Sequence, residues 1–168
     1  MVIFGIDPGL SATGYGIIEA GGSGLALITA GDIRPPRARP TGERLEHLHR
    51  ALSLLISRYR PDSVVLEKLF IHYQHVTTAA LMAHARGVAC LVTQEHGLPL
   101  AEYPPTQVKK ALTGVGSASK EQVARMVGQW LHRSDPAWSL DATDALALAI
   151  TYAHLERARQ RVPVGNPS

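Results

Sequence analysis

The chain is poor in the residues that would place it in several large functional classes. It holds one cysteine, Cys90, among 168 residues, which excludes an internal disulfide framework and any multi-cysteine zinc centre. No apolar run approaches the roughly 20 residues that a membrane-spanning helix needs. The opening residues lack the basic start and small-residue cleavage site of a secretory leader. The eight histidines fall at no spacing that pairs them as ligands with each other or with Cys90, so no zinc site is read. Charged residues are 18% and hydrophobic residues 45% of the chain, a balance that builds a core and excludes a disordered chain. The expectation is a cytoplasmic globular protein with one domain over residues 1–160 and a flexible tail over 161–168. Cys90, between Ala89 and Leu91, is expected to be buried.

Acidic charge is also scarce: 14 Asp and Glu stand against 17 Lys and Arg, a net charge of +3. The basic residues gather in 34–60, in 109–125 and around Arg157, Arg159 and Arg161. This is compatible with a polyanionic partner and does not demand one.

What is present is a clear alternation of elements. Residues 2–7, "TGYGIIE" and "GLALITAGD" read as three strands, the last two joined by the turn cluster "AGGSG", and together as an antiparallel meander. "RPPRARPTG" is a loop, because proline blocks both helix and ladder. Thr41 is expected to cap a helix running to about Tyr59, with Leu45, Leu48, Leu52, Leu55 and Ile56 at helical spacing. "SVVLE" is a fourth strand ending at Glu67, residues 74–96 are a long helix, and "LPLAEY" is a fifth strand. Thr106 is expected to cap a short helix. Ser119 and Gln122 make a capping pattern for the next one. A last helix runs from about Ser139 to about Arg159. Three strands followed by alternating helix and strand predict an α/β fold: one five-stranded mixed sheet, three antiparallel strands plus two parallel, flanked by helices.

Within this frame, carboxylates stand at the ends of elements. Asp7 closes the first strand and Glu67 the fourth. If those strands are parallel neighbours, both emerge at the sheet edge where α/β folds place their sites. In "LDATDALALAI", Asp141 and Asp144 are three apart and share a helix face. Each has an ordinary alternative. Asp-Pro-Gly is a common turn, a strand-end Glu is commonly solvated, and an Asp near a helix start caps it or meets its dipole. Four acids in one place repel one another unless cations sit among them. Oxygen donors suit hard ions, Mg²⁺ or Mn²⁺, and two such ions can hold the attacking water and the leaving oxygen of a phosphodiester.

The segments "GIDPG…TGYG", "LEKLF", "ARGVA", "QVKKALTGVGSASKEQV" and "DATDALALAI", in this order, closely resemble the RuvC family of Holliday-junction resolvases over residues 2–155. The resemblance implies a ribonuclease-H-like fold, a homodimer, and Mg²⁺-dependent paired nicking of a four-way DNA junction in recombination and repair. It implies that Asp7, Glu67, Asp141 and Asp144 are the catalytic, metal-binding acids, with two Mg²⁺ per subunit and Mn²⁺ as a substitute. It implies that Phe70 stacks on a base near the junction centre, that Lys109 and Lys120 contact phosphates, and that the branch-migration proteins RuvA and RuvB are partners. The chain departs from the family pattern at Lys68, where Gln is expected, and at Thr143, where Ala is usual. Some relatives carry His in place of Asp141.

Around these residues the sequence leaves alternatives open. Phe70 is either a stacking ring or a core residue. His72, Tyr73 and His75 either line the same groove or sit on the surface without a role. Of Lys109 and Lys110, only one can readily point at the site. The small-residue helix "TTAALMAHARGVAC" is a candidate dimer contact or packs on its own sheet. Two other functions stay in view: a related nuclease acting on structured RNA, and a non-catalytic junction-binding module. An actin-like ATPase would need a second domain that 168 residues do not supply.

Overall fold

The computed structural model describes residues 1–68, 76–133 and 137–161. Strands β1 (Val2–Asp7), β2 (Thr13–Gly21), β3 (Gly24–Ile33), β4 (Ser63–Glu67) and β5 (Leu100–Tyr103) form one sheet in the order β3-β2-β1-β4-β5. The pairs β1–β2 and β2–β3 are antiparallel, and β1–β4 and β4–β5 are parallel. This is the mixed sheet the alternation predicts.

Helices α1 (Thr41–Tyr59) and α2 (Val76–Glu95) cover one face; α3 (Pro105–Thr113), α4 (Lys120–Trp130) and α5 (Leu140–Arg161) cover the other. Successive strand residues point to opposite faces, and that alternation sorts the core into two. Phe4, Ile6, Ile17, Val64 and Leu66 pack with Leu48, Leu52 and Ile56 of α1 and Ala85, Ala89 and Val92 of α2. Ile3, Ile18 and Val65 pack with Leu146, Ala149 and Ile150 of α5 and with Val108 and Val127. Asp7 shares the parity of Ile3, and Glu67 that of Val65. Both therefore belong to the α5 face.

α5 lies against the sheet at a distance only glycine permits. A Cβ on Gly5 would come 2.0 Å from the carbonyl oxygen of Ala145, and one on Gly14 would come 2.0 Å from that of Asp141. The helix backbone therefore rests directly on the strand backbones, as strand glycines allow where another chain segment approaches closely. Farther along α5, the hydroxyls of Tyr152 and Ser63 hydrogen-bond at 2.9 Å, which ties the helix to β4.

Three expectations about local structure are corrected. Thr41 is the first residue of α1 and makes no side-chain cap; Pro40 stands at the cap position, and its carbonyl accepts from the Arg44 amide at 3.1 Å. Thr106 likewise lies inside α3, which starts at Pro105 behind Pro104. A proline in the first turn has its φ preset and lacks only an N–H that had no partner there. Cys90 is partly exposed rather than buried. By contrast, Ser119 forms the full capping box with Gln122, through hydrogen bonds of 3.3 and 2.8 Å. Residue 161 still belongs to α5, and 162–168 lie outside the described residues.

Candidate active site

Two strand ends and one helix supply the acids. The pairing of Ile6 with Leu66 brings the ends of β1 and β4 side by side, so Asp7 and Glu67 leave the sheet next to each other on the α5 face. The turn after Asp7 closes without using its carboxylate. The Gly9 amide donates to Thr13 Oγ1 at 3.2 Å, that hydroxyl donates back to the Gly9 carbonyl at 2.7 Å, and Arg44 Nη2 donates to the Leu10 carbonyl at 2.9 Å. Turn formation therefore does not explain Asp7.

A cleft of about 250 Å³ opens at this edge. Asp7, Glu67 and Asp144 line it together with Lys109 and Lys120, over an apolar floor that includes Val108, Val123 and Leu148. Lys110, one residue on from Lys109, is exposed and is not part of the lining. Lys120 opens α4 behind the Ser119 cap, and its Nζ lies 3.5 Å from Asp144 Oδ2. That pair is long, with the lysine side chain 69% exposed; such an ion pair is weak and easily exchanged.

Asp141 stands one helical turn before Asp144, in the first turn of α5, and does not line the cleft. Its charge still reaches the site. Asp7 is pushed up from 3.8 to about 7, first by burial and then by the charges of Asp144, Glu67 and Asp141, with Lys120 pulling the other way. Burial also raises Glu67, assisted by Asp144 and opposed by Lys120 and Lys109. Asp144 is raised as well, again mainly by burial, with Lys120 opposing. Three acids are thus held where their ionised forms are disfavoured. Positive charge entering the cleft would relieve this repulsion.

The donor set fits hard divalent ions: all oxygen, anionic, and open on one side. Among the described residues no three His, Cys, Asp or Glu side chains are grouped closely enough to hold an ion by themselves. Mg²⁺ keeps several waters and shares its shell with substrate phosphates, so an open ring of acids suits it better than a closed cage would.

Sequence reasoning missed a basic residue behind the site. Arg86 of α2, its side chain only 17% exposed, donates from Nη1 to the Glu67 carbonyl at 2.6 Å and pairs through Nη2 with Glu102 of β5. Phe70, His72, Tyr73 and His75 lie outside the described residues.

Among the described residues no helix is long and apolar enough to cross a membrane. The family model "Crossover junction endodeoxyribonuclease RuvC" matches residues 3–152. The RuvC crossover junction endodeoxyribonuclease of Xanthobacter autotrophicus is 45% identical over 159 residues, covering 95% of this chain and 93% of that protein. A structure of Thermus thermophilus RuvC superposes with a TM-score of 0.87 at 33% identity, over 95% of this chain and 97% of that one. One of the same protein in complex with a Holliday junction substrate gives 0.88 at 33% identity, over 95% and 96%. A ribonuclease-H-like sheet with acids at its strand ends, and relatives matched along nearly their full length, lead to one assignment: the chain belongs to the RuvC family of crossover junction endodeoxyribonucleases.

Proposed function

We propose that this protein is a metal-dependent nuclease that resolves four-way DNA junctions by paired symmetric nicks, leaving 5′-phosphate and 3′-hydroxyl ends. The observation that carries the reading is the cleft itself: Asp7, Glu67 and Asp144 facing Lys109 and Lys120 at one sheet edge, with Asp141 close enough to act on two of those acids. A structured-RNA substrate is not favoured, since the relatives matched along the whole chain are junction endonucleases by name. A non-catalytic binding module is disfavoured because acids without cations would repel the DNA backbone they face.

Asp7, Glu67, Asp141 and Asp144 are the residues that would hold two Mg²⁺ ions, with Mn²⁺ as a substitute. When bound, such ions supply Lewis-acid activation of water and neutralise charge at the scissile phosphodiester. The chain's own residues do the rest. Burial and the neighbouring acids push Asp7 up to about 7, so a bound cation would compete with its proton. Lys120 can exchange its 3.5 Å contact with Asp144 for a phosphate oxygen, and Lys109 presents a second ammonium to the same cleft. Lysine contacts of this kind position the backbone without reading sequence. Phe70 would stack on an unpaired base at the junction centre.

Two symmetric cuts need two sites, so the working unit is a homodimer, with the small-residue stretch of α2 as its contact. The setting is the cytoplasm, with RuvA and RuvB as partners, and residues 1–160 act as one nuclease domain. The test is incubation of the protein with a synthetic four-way junction, with and without Mg²⁺, beside a structured RNA. Paired symmetric nicks in the junction alone are expected. Asp7→Asn should abolish cutting while junction binding persists. Near-normal turnover by that variant, or preference for the RNA, overturns the reading.

A further inference from the structure

Asp32, at the end of β3, takes no part in the chemistry above, yet its side chain is only 15% exposed. Its Oδ1 accepts a hydrogen bond from Ser139 Oγ at 2.5 Å and its Oδ2 one from Arg34 Nη2 at 2.8 Å. Ser139 precedes α5. Its hydroxyl oxygen accepts from the Ala142 amide at 3.0 Å, and its carbonyl accepts from the Thr143 amide and hydroxyl at 3.0 and 2.8 Å. A serine hydroxyl has one hydrogen to give. Because Asp32 takes it, the lone pairs of Ser139 are turned toward the helix amide.

The sheet register gives this contact its meaning. Asp7 pairs with Gly14, and Gly14 pairs with Asp32. Cross-strand partners share a face, so the three stand in one row beneath the start of α5. Asp7 contributes a carboxylate to the cleft. Gly14 leaves room for the Asp141 backbone. Asp32 grips the residue two before Asp141.

We infer that Asp32 is a positioning residue: through Ser139 it sets where the first turn of α5 sits above the sheet, and thereby where Asp141 and Asp144 stand relative to Asp7 and Glu67. The inference rests on reading those four acids as the cation-holding set. Asp32 neither lines the cleft nor figures among the charges that shift Asp7, Glu67 or Asp144. It acts by placement and not by field.

Asp32→Ala, Asp32→Asn and Ser139→Ala are compared with the unaltered protein by three measurements. These are single-turnover cleavage of a synthetic four-way junction in Mg²⁺, Mn²⁺ affinity by electron paramagnetic resonance, and junction affinity without a divalent ion. Asp32→Ala and Ser139→Ala break the same bond from opposite sides, so a variant that fails to fold leaves the other to carry the test. Each is expected to lower cleavage and Mn²⁺ affinity roughly tenfold, as partners that orient metal ligands do, with junction affinity within about twofold. Asp32→Asn keeps an oxygen that accepts from Ser139 and should recover most of both losses. Unchanged cleavage and Mn²⁺ affinity in Asp32→Ala overturn the inference. So does an Asn variant as impaired as the Ala variant, or junction affinity that falls in step with cleavage. If the unaltered protein neither cuts the junction nor binds Mn²⁺, it is the resolvase reading that fails.

Discussion

The four acids divide into two pairs held by different means. Asp7 and Glu67 end strands whose backbones are laddered: β1 lies between β2 and β4, and β4 between β1 and β5. Their placement follows from register, and a one-residue slip of either strand would send its acid to the opposite face. Asp141 and Asp144 ride on a helix whose backbone hydrogen bonds are internal. Nothing in the sheet ladder fixes them; their place depends on packing and on the tie at the helix start. The strand pair is the rigid half of the site and the helix pair the adjustable half. Fragility therefore lies in residues outside the four acids, at the Gly14 seat and the Asp32–Ser139 tie.

The largest effect is expected at the glycine seats. Gly14→Val places side-chain carbon where the Asp141 carbonyl lies 2.0 Å from the Cβ position, so α5 must rise. We expect a loss of about 3 kcal/mol in denaturant unfolding, the upper range for overpacking, together with loss of cleavage. Gly22→Ala, where a Cβ would meet nothing within 4 Å, should change neither. Equal behaviour of the two variants would show that Gly14 does not seat α5.

A second effect separates the strand acid by pH. Asp7 titrates near 7 when folded, against an ordinary value of 3.8. Between those values the folded state binds more protons than the unfolded one, so stability without metal falls as pH rises toward 7 and then levels off. Thermal melts of the metal-free protein should show this decline. Asp7→Asn should reduce it, leaving the part that Glu67 and Asp144 contribute, and added Mn²⁺ should offset it for the unaltered protein at pH 8. A decline of the same steepness in Asp7→Asn would assign it to other groups.

A smaller effect is expected behind the sheet. Arg86→Met removes the donor to the Glu67 carbonyl and leaves Glu102 without its partner. A cost of about 2 kcal/mol is expected, in the range for hydrogen bonds to charged groups. Cleavage should fall more than junction binding does, because Arg86 lies on the α2 side of the sheet and Glu67 projects on the other. Equal losses in both would make Arg86 a DNA contact.

Much of this was readable before the fold was known. A short β-branched, apolar run such as "SVVLE" announces a strand buried on both faces, and a carboxylate closing two strands announces a site. The Ser119–Gln122 cap was legible because both partners are local in sequence. The starts of α1 and α3 are hard to read, because a hydroxyl beside a proline resembles a cap, whereas Pro40 itself holds the cap position of α1 and Pro105 begins α3. The seats at Gly5 and Gly14, the Arg86 clamp and the Asp32–Ser139 bond could not be read. Each joins residues far apart in the chain, Asp32 and Ser139 by 107 positions, and no local pattern marks them.

On the proposed function these acids share a divalent-ion site at the ends of β1 and β4. Anomalous diffraction from crystals soaked in manganese tests it most directly. Anomalous density is expected in the cleft among Asp7, Glu67 and Asp144, lost in Asp7→Asn. Density confined to other parts of the surface, or unchanged by that substitution, would contradict it.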